Sequence, residues 1–187
     1  MKALTREYLR EIVHPRARNK LYSAVMRIRH SMALATHKFY NECGFRYIHT
    51  LIVTAADCEG AGEQFGVTIL LPDKGPPRFP INPDGSIDYS KDFFGCRASL
   101  IFSGLLNVET HAMALCDMYF FGLTFRAEWS NTTRDSVEFW MIDSFADLSD
   151  DMALATDYLK YCVAYALEHY NDDLASLETS SKVLFDG

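Results

Sequence analysis

Three observations predict an α+β fold, an antiparallel sheet flanked by helices, for this 187-residue sequence. Two long stretches carry apolar residues at alternating three- and four-residue spacing, the period of amphipathic helices. Between them lie two β-branched and aromatic runs separated by a polar loop, the pattern of a hairpin. No Gly-x-Gly-x-x-Gly or Walker-type loop occurs, which argues against a parallel-sheet dinucleotide or P-loop site.

The elements follow in chain order. Residues 1–20 form a basic lead-in. Leu21, Val25, Ile28, Met32, Ala35 and Phe39 then make one helical stripe, ended by Gly44 where a left-handed cap is favoured. An extended run spans Arg46 to Thr54. Residues 71–92 are rich in Pro, Gly and Asp and read as an exposed, mobile loop or hairpin insertion. Leu105 to Met118 reads as a short helix feeding a hairpin over 119–143. A second stripe, Leu148, Met152, Ala155, Leu159, Cys162 and Ala166, predicts a helix over 147–170. Size, composition and the lack of repeats point to one domain.

Composition narrows the function classes. The chain is 49% hydrophobic with no apolar run near the roughly 20 residues of a membrane span, so a cytoplasmic protein with no membrane partner is expected. Its five cysteines are odd in number and scattered, the usage of a reducing compartment rather than a zinc site; no metal ligand set is expected. The net charge of −7 argues against a general nucleic-acid binder. Residues 1–46, however, carry ten Lys or Arg against three acids, and the remainder eight against twenty-two. That basic segment could attract a polynucleotide backbone, or could be a solvated helix surface.

The chemistry concentrates in the hairpin. Phe125-Arg126-Ala127-Glu128 puts an arginine and a glutamate two apart on one strand face, with Val137-Glu138-Phe139-Trp140-Met141-Ile142 on the returning arm. A planar, always-charged fork beside a carboxylate and an aromatic ring suits a nucleotide. Read singly, Arg126 and Glu128 could be an ion pair on a solvated face, Phe139 a core residue, and Glu59 and Glu63 a charged turn. His37 and His49 read as structural.

With Ser130-Asn131-Thr132 and Arg134, this wording resembles motif 2 of the class II aminoacyl-tRNA synthetases, the asparagine-specific branch above all. Gly44 to Thr50 resembles motif 1. Ala56 to Glu63 resembles the loop that closes over the amino acid, and Asp92-Phe93-Phe94-Gly95 and Ser103-Gly104 through Asn107 follow the asparaginyl pattern. The resemblance runs from about Glu7 to Asp172 and implies a class II catalytic domain, here incomplete, over 1–187. It implies ATP-dependent activation of asparagine and transfer to tRNA, with Mg²⁺ bridging the phosphates. Arg126 would grip the α-phosphate and the attacking carboxylate, with Glu128, Arg134 and Phe139 also at ATP. Glu59, Glu63, Ser103 and Asn107 would hold the amino acid. A homodimer through residues 21–54 is implied too, although the same stripe could pack on the chain's own sheet.

The sequence departs from the family where chemistry is expected. Leu105 replaces a glutamine, Trp129 an asparagine, Asp135 a histidine, and Leu51 and Leu123 prolines. Only Asp143-Ser144 stand before Phe145 where the family carries a longer Glu-Pro-Glu-Met-Ala, a shift that puts the pocket's glutamate in question. Nothing resembles motif 3 or the anticodon-reading β-barrel. Two readings therefore stand: a ligase core, or a non-catalytic dimerising or nucleotide-binding module.

Overall fold

The computed structural model describes residues 6–56, 64–72, 74–75, 79–127, 136–145 and 151–185, without the side chains of 6, 7, 10, 13 and 179–185. The chain divides into two compact units, residues 1–44 with 148–187, and residues 45–147.

The first unit is helical. Short helices α1 (Arg6–Glu11) and α2 (Val13–Arg16) precede α3 (Lys20–Glu42). The Asn19 side chain accepts from Leu21 N–H at 2.9 Å and so caps α3. Gly44 ends it with φ +87°, a conformation only glycine adopts cheaply, as the sequence predicts. Helix α5 (Asp151–Phe185) is two stretches meeting at Tyr170, whose φ −137°, ψ 32° is non-helical, at the residue where the sequence ends its helix.

α3 packs on α5. Ala24, Ser31, Ala35, Thr36, Phe39 and Tyr40 are buried on α3, so the buried face shares Ala35 and Phe39 with the predicted stripe and leaves Val25 exposed. On α5 the correction is larger. Cys162 and Ala166 are buried, but Met152 is 82% exposed and Leu159 62%. Their place is taken by Tyr158 and Tyr161, whose rings each lie 5.5 Å from Phe39.

The second unit holds two three-stranded sheets. In the first, β5 (Met118–Phe125) is central, paired antiparallel with β6 (Glu138–Phe145) over eight residue pairs and parallel with β1 (Arg46–Tyr47). The hairpin thus forms at the predicted place, and one parallel pairing joins an otherwise antiparallel architecture. In the second sheet β4 (Ala98–Leu100) lies between β2 (Val53–Thr54) and β3 (Gly66–Val67), both antiparallel to it. The predicted run Arg46–Thr54 is therefore two short strands serving different sheets.

Part of the 71–92 segment is a hydrogen-bonded hairpin: Asn82 N–H reaches Ser86 O at 2.8 Å, and Asp88 N–H reaches Pro80 O at 2.8 Å. Helix α4 (Leu105–Leu115) covers one face of the first sheet. Its Val108 forms a buried cluster with Met118 and Phe120, onto which Ile48, Ala112, Met141 and Phe145 pack. Gly122 is required beneath this cluster, since a Cβ there would lie 2.5 Å from the Phe120 ring.

Candidate functional site

Strand alternation decides which side chains meet. Directly opposite residues share a face, and the register pairs Met118 with Phe145, Phe120 with Asp143, Gly122 with Met141 and Thr124 with Phe139. One face therefore runs from the buried cluster under α4 to Phe139, and Arg126 continues it past the end of β5.

Arg126 and Phe139 do come together. The Arg126 Cζ lies 5.1 Å from the Phe139 ring centroid and 4.5 Å from that of Phe102. Both distances are within the range of cation–π attraction. Arg126 Nε is buried and has no hydrogen-bond partner among the described residues. A guanidinium so placed is flanked by two rings and keeps an N–H for an incoming anion. Phe102 was not among the sequence candidates. It sits in the β4–α4 connection and reaches Arg126 because Phe125 N–H donates to Ile101 O at 2.9 Å, making the next residues of the two segments neighbours.

Ser103 and Asn107 line one small recess with Thr54, Ala56, Ile101, Phe102 and Leu106, of about 10 Å³, the volume of roughly one water. The Ser103 Oγ accepts from Leu105 N–H at 3.1 Å, and the hydroxyl lies near enough to the Asp143 carboxyl to favour its charged form. Asp143, which the sequence marks only as part of a shortened segment, is thereby a member of the site. Burial among Met141, Phe145 and Phe120 pushes its carboxyl above the usual range, opposed by the Ser103 hydrogen bond. Its Oδ2 is buried without a partner among the described residues. The available signal was its position opposite Phe120, legible only once the register is known.

Glu59, Glu63, Glu128 and Arg134 lie outside the described residues. No group of three His, Cys, Asp or Glu able to hold a metal ion occurs among the described residues. The Arg126 cradle fits an anion beside a flat ring. No described helix is long and apolar enough to cross a membrane.

The opposite sheet face carries a second cavity of about 100 Å³, lined by Tyr47, His49, Ile52, Phe121 and Trp140 among others. Phe121 and Trp140 rings lie 4.9 Å apart there, and Tyr47 and Tyr119 5.3 Å. None of the predicted site residues lines it.

Comparison with known proteins gives the family and the fold. The family of tRNA synthetases class II (D, K and N) matches residues 7–184. The chloroplastic/mitochondrial asparagine–tRNA ligase of Arabidopsis thaliana is 50% identical over 187 residues, covering 95% of this chain and 33% of that protein. The asparagine–tRNA ligase of Desulfitobacterium hafniense is 50% identical over 184 residues, covering 96% and 39%. The chain thus spans about a third to two-fifths of the length of these relatives. Among solved structures, the asparaginyl-tRNA synthetase of Pyrococcus horikoshii complexed with asparaginyl-adenylate superposes with a TM-score of 0.71 at 22% identity, covering 92% of this chain and 35% of its own. That of Entamoeba histolytica, also with asparaginyl-adenylate, gives 0.68 at 16% identity, covering 94% and 34%. The fold, the paired Arg126 and Phe139 and the match along nearly the whole sequence lead to one conclusion: this chain belongs to the class II tRNA synthetases of the aspartate, lysine and asparagine group, and it follows the asparaginyl pattern.

Proposed function

We propose that this chain is the nucleotide-binding part of an asparagine–tRNA ligase catalytic domain, taking ATP as its magnesium complex on the Arg126–Phe139 face. The observation that supports it best is the guanidinium 5.1 Å from a phenyl ring with its Nε–H buried and unpartnered among the described residues. In the family reaction a carboxylate of asparagine attacks the α-phosphate, and a fixed cation there stabilises the charge that develops. Arg126 would hold that phosphate and the carboxylate, and Phe139 the adenine. Glu128 and Arg134 would complete the nucleotide contacts, and Glu59, Glu63 and Asn107 those to the amino acid. Residues 21–54 would form a homodimer contact, tRNA would be the second substrate, and the compartment would be the cytoplasm.

A second reading has its own support. With Leu105 in place of a glutamine and the Ser103 hydroxyl engaged by Leu105 N–H, two polar contacts to an amino acid are withdrawn. A module that binds nucleotide without activating asparagine fits those changes. Calorimetry with MgATP tests what both readings share. Arg126→Ala should weaken binding about tenfold to a hundredfold, the value of hydrogen bonds to a charged group. Equal affinity in both proteins would remove Arg126 from the site. Asparagine-dependent exchange of pyrophosphate into ATP then separates the two: exchange marks the ligase, binding without exchange the module.

A further inference from the structure

The geometry points to Phe102 as a positioning residue for Arg126: its ring presses on the guanidinium and fixes the direction in which the buried Nε–H is offered to an anion. The inference rests on the nucleotide-binding reading for its consequence, though not for its geometry. No recognised motif contains this residue.

Phe102 is held from both sides. Ile101, 2% exposed, donates its N–H to Ile52 O at 2.8 Å and accepts from Phe125 N–H at 2.9 Å. On the other side the Ser103 hydroxyl accepts from Leu105 N–H at 3.1 Å. A residue between two such anchors has a backbone with little freedom, and its half-buried ring lies 4.5 Å from the Arg126 Cζ. Arg126 is fixed in the same way, with its own N–H on Val137 O at 3.0 Å. The two rigid backbones converge through the Phe125–Ile101 bond, and the side chains one step beyond it meet at 4.5 Å.

A simple core role for Phe102 fits less well. It stays half-buried and stands apart from the buried cluster of Val108, Met118 and Phe120. Of the two rings at the guanidinium it is also the nearer one, 4.5 Å against 5.1 Å for Phe139. Phe139 is the ring that the family reading assigns to adenine. A second ring leaves Arg126 oriented even when Phe139 shifts to receive a base. Preorganisation of this kind raises affinity by removing the cost of ordering a long side chain on binding.

Two measurements on the full chain test the proposal, with Phe102→Leu to keep volume and Phe102→Tyr to keep the ring. In ¹⁵N spectra the Arg126 Nε–H should be ring-shifted and slow to exchange in the wild type and Phe102→Tyr. Exchange should be faster in Phe102→Leu, and the ring shift should fall to the part that Phe139 supplies. An unchanged signal in Phe102→Leu would overturn the proposal, whether or not nucleotide binds. In calorimetry Phe102→Leu should weaken MgATP about threefold to thirtyfold, the range of a cation–π contact, and leave adenosine unchanged, with Phe102→Tyr restoring ATP affinity. Equal losses for ATP and adenosine would show a merely structural role. If Arg126→Ala leaves ATP affinity intact while the spectral result holds, the nucleotide reading fails and the positioning contact stands.

Discussion

The two units of this molecule treat charge in opposite ways. In the helical unit, charged side chains on the α3–α5 interface have partners within it. Arg27 donates to both oxygens of Asp173 at 2.7 and 2.6 Å, and Lys38 reaches the Tyr165 hydroxyl at 3.3 Å. Its buried atom without a partner among the described residues is a neutral hydroxyl, Ser31 Oγ. In the sheet unit three charged residues, Asp92, Arg126 and Asp143, each have a buried polar atom with no partner there. Buried polar groups are nearly always satisfied, and a charged one left open costs more than a neutral one. The helical unit is finished by its own side chains. The sheet unit leaves these atoms open, and two of the three lie on the face that carries Phe139.

The comparison breaks most visibly where the sheet unit's apolar support is removed. Phe120 is 2% exposed, packs with Val108 and Met118, and stands opposite Asp143. Phe120→Ala should cost about 3–5 kcal/mol, the range for deleting a buried aromatic ring. Urea unfolding followed by Trp140 fluorescence checks it, since Trp140 lies on β6. A loss below about 1 kcal/mol would mean that α4 collapses onto the sheet without this ring, and that the floor of the site is not rigid.

How legible each unit was in the sequence follows from the same division. The hairpin and the meeting of Arg126 with Phe139 were readable, because strand alternation and a two-run pattern are local rules. So was the end of α3 at Gly44, a matter of one residue's φ. The buried face of α5 was not: counting Met and Leu as inward put Met152 and Leu159 in the core, while tyrosines, whose rings bury and whose hydroxyls find partners, took that face. Phe102 and Asp143 were missed for another reason. Each reaches the site through pairing between distant segments, Ile101 with Phe125 and Phe120 with Asp143, which no single stretch of sequence encodes.

The Ser103–Asp143 pair offers a smaller and sharper test. Ser103→Ala removes a bond to Leu105 N–H at the start of α4 and the donor that holds the Asp143 carboxyl down, at a cost of about 1–2 kcal/mol. Burial already keeps that carboxyl above its ordinary value, so the folded protein holds this proton to higher pH than the unfolded chain does. Its stabilising contribution is complete below the ordinary carboxylate range and is lost as pH rises through the raised value. Without Ser103 the value should move further up and the loss should begin at higher pH. A carboxyl ¹³C titration of Asp143 in both proteins reads this directly. An unmoved or lower value in Ser103→Ala would show that the hydroxyl does not hold the carboxylate.

The smallest effect is expected in the helical unit, where the tyrosine hydroxyls at the α3–α5 interface have partners. Tyr158 and Thr36 hydroxyls lie 2.9 Å apart, and Thr36 Oγ1 also donates to Met32 O at 2.8 Å. Tyr158→Phe therefore removes one hydrogen bond and leaves Thr36 with a partner, which limits the loss to about 1 kcal/mol. Burial pushes the Tyr158 phenol up to about 12, with the Thr36 hydrogen bond opposing it. The folded value lies above the unfolded one near 10, so the contribution is complete below roughly pH 10 and disappears as pH rises toward 12. Urea midpoints at pH 9 and near pH 11.5 should therefore fall further in the wild type than in Tyr158→Phe. Equal falls in the two proteins would mean that the phenol ionises freely in the fold, and that this interface is wetter and less self-sufficient than its hydrogen bonds indicate.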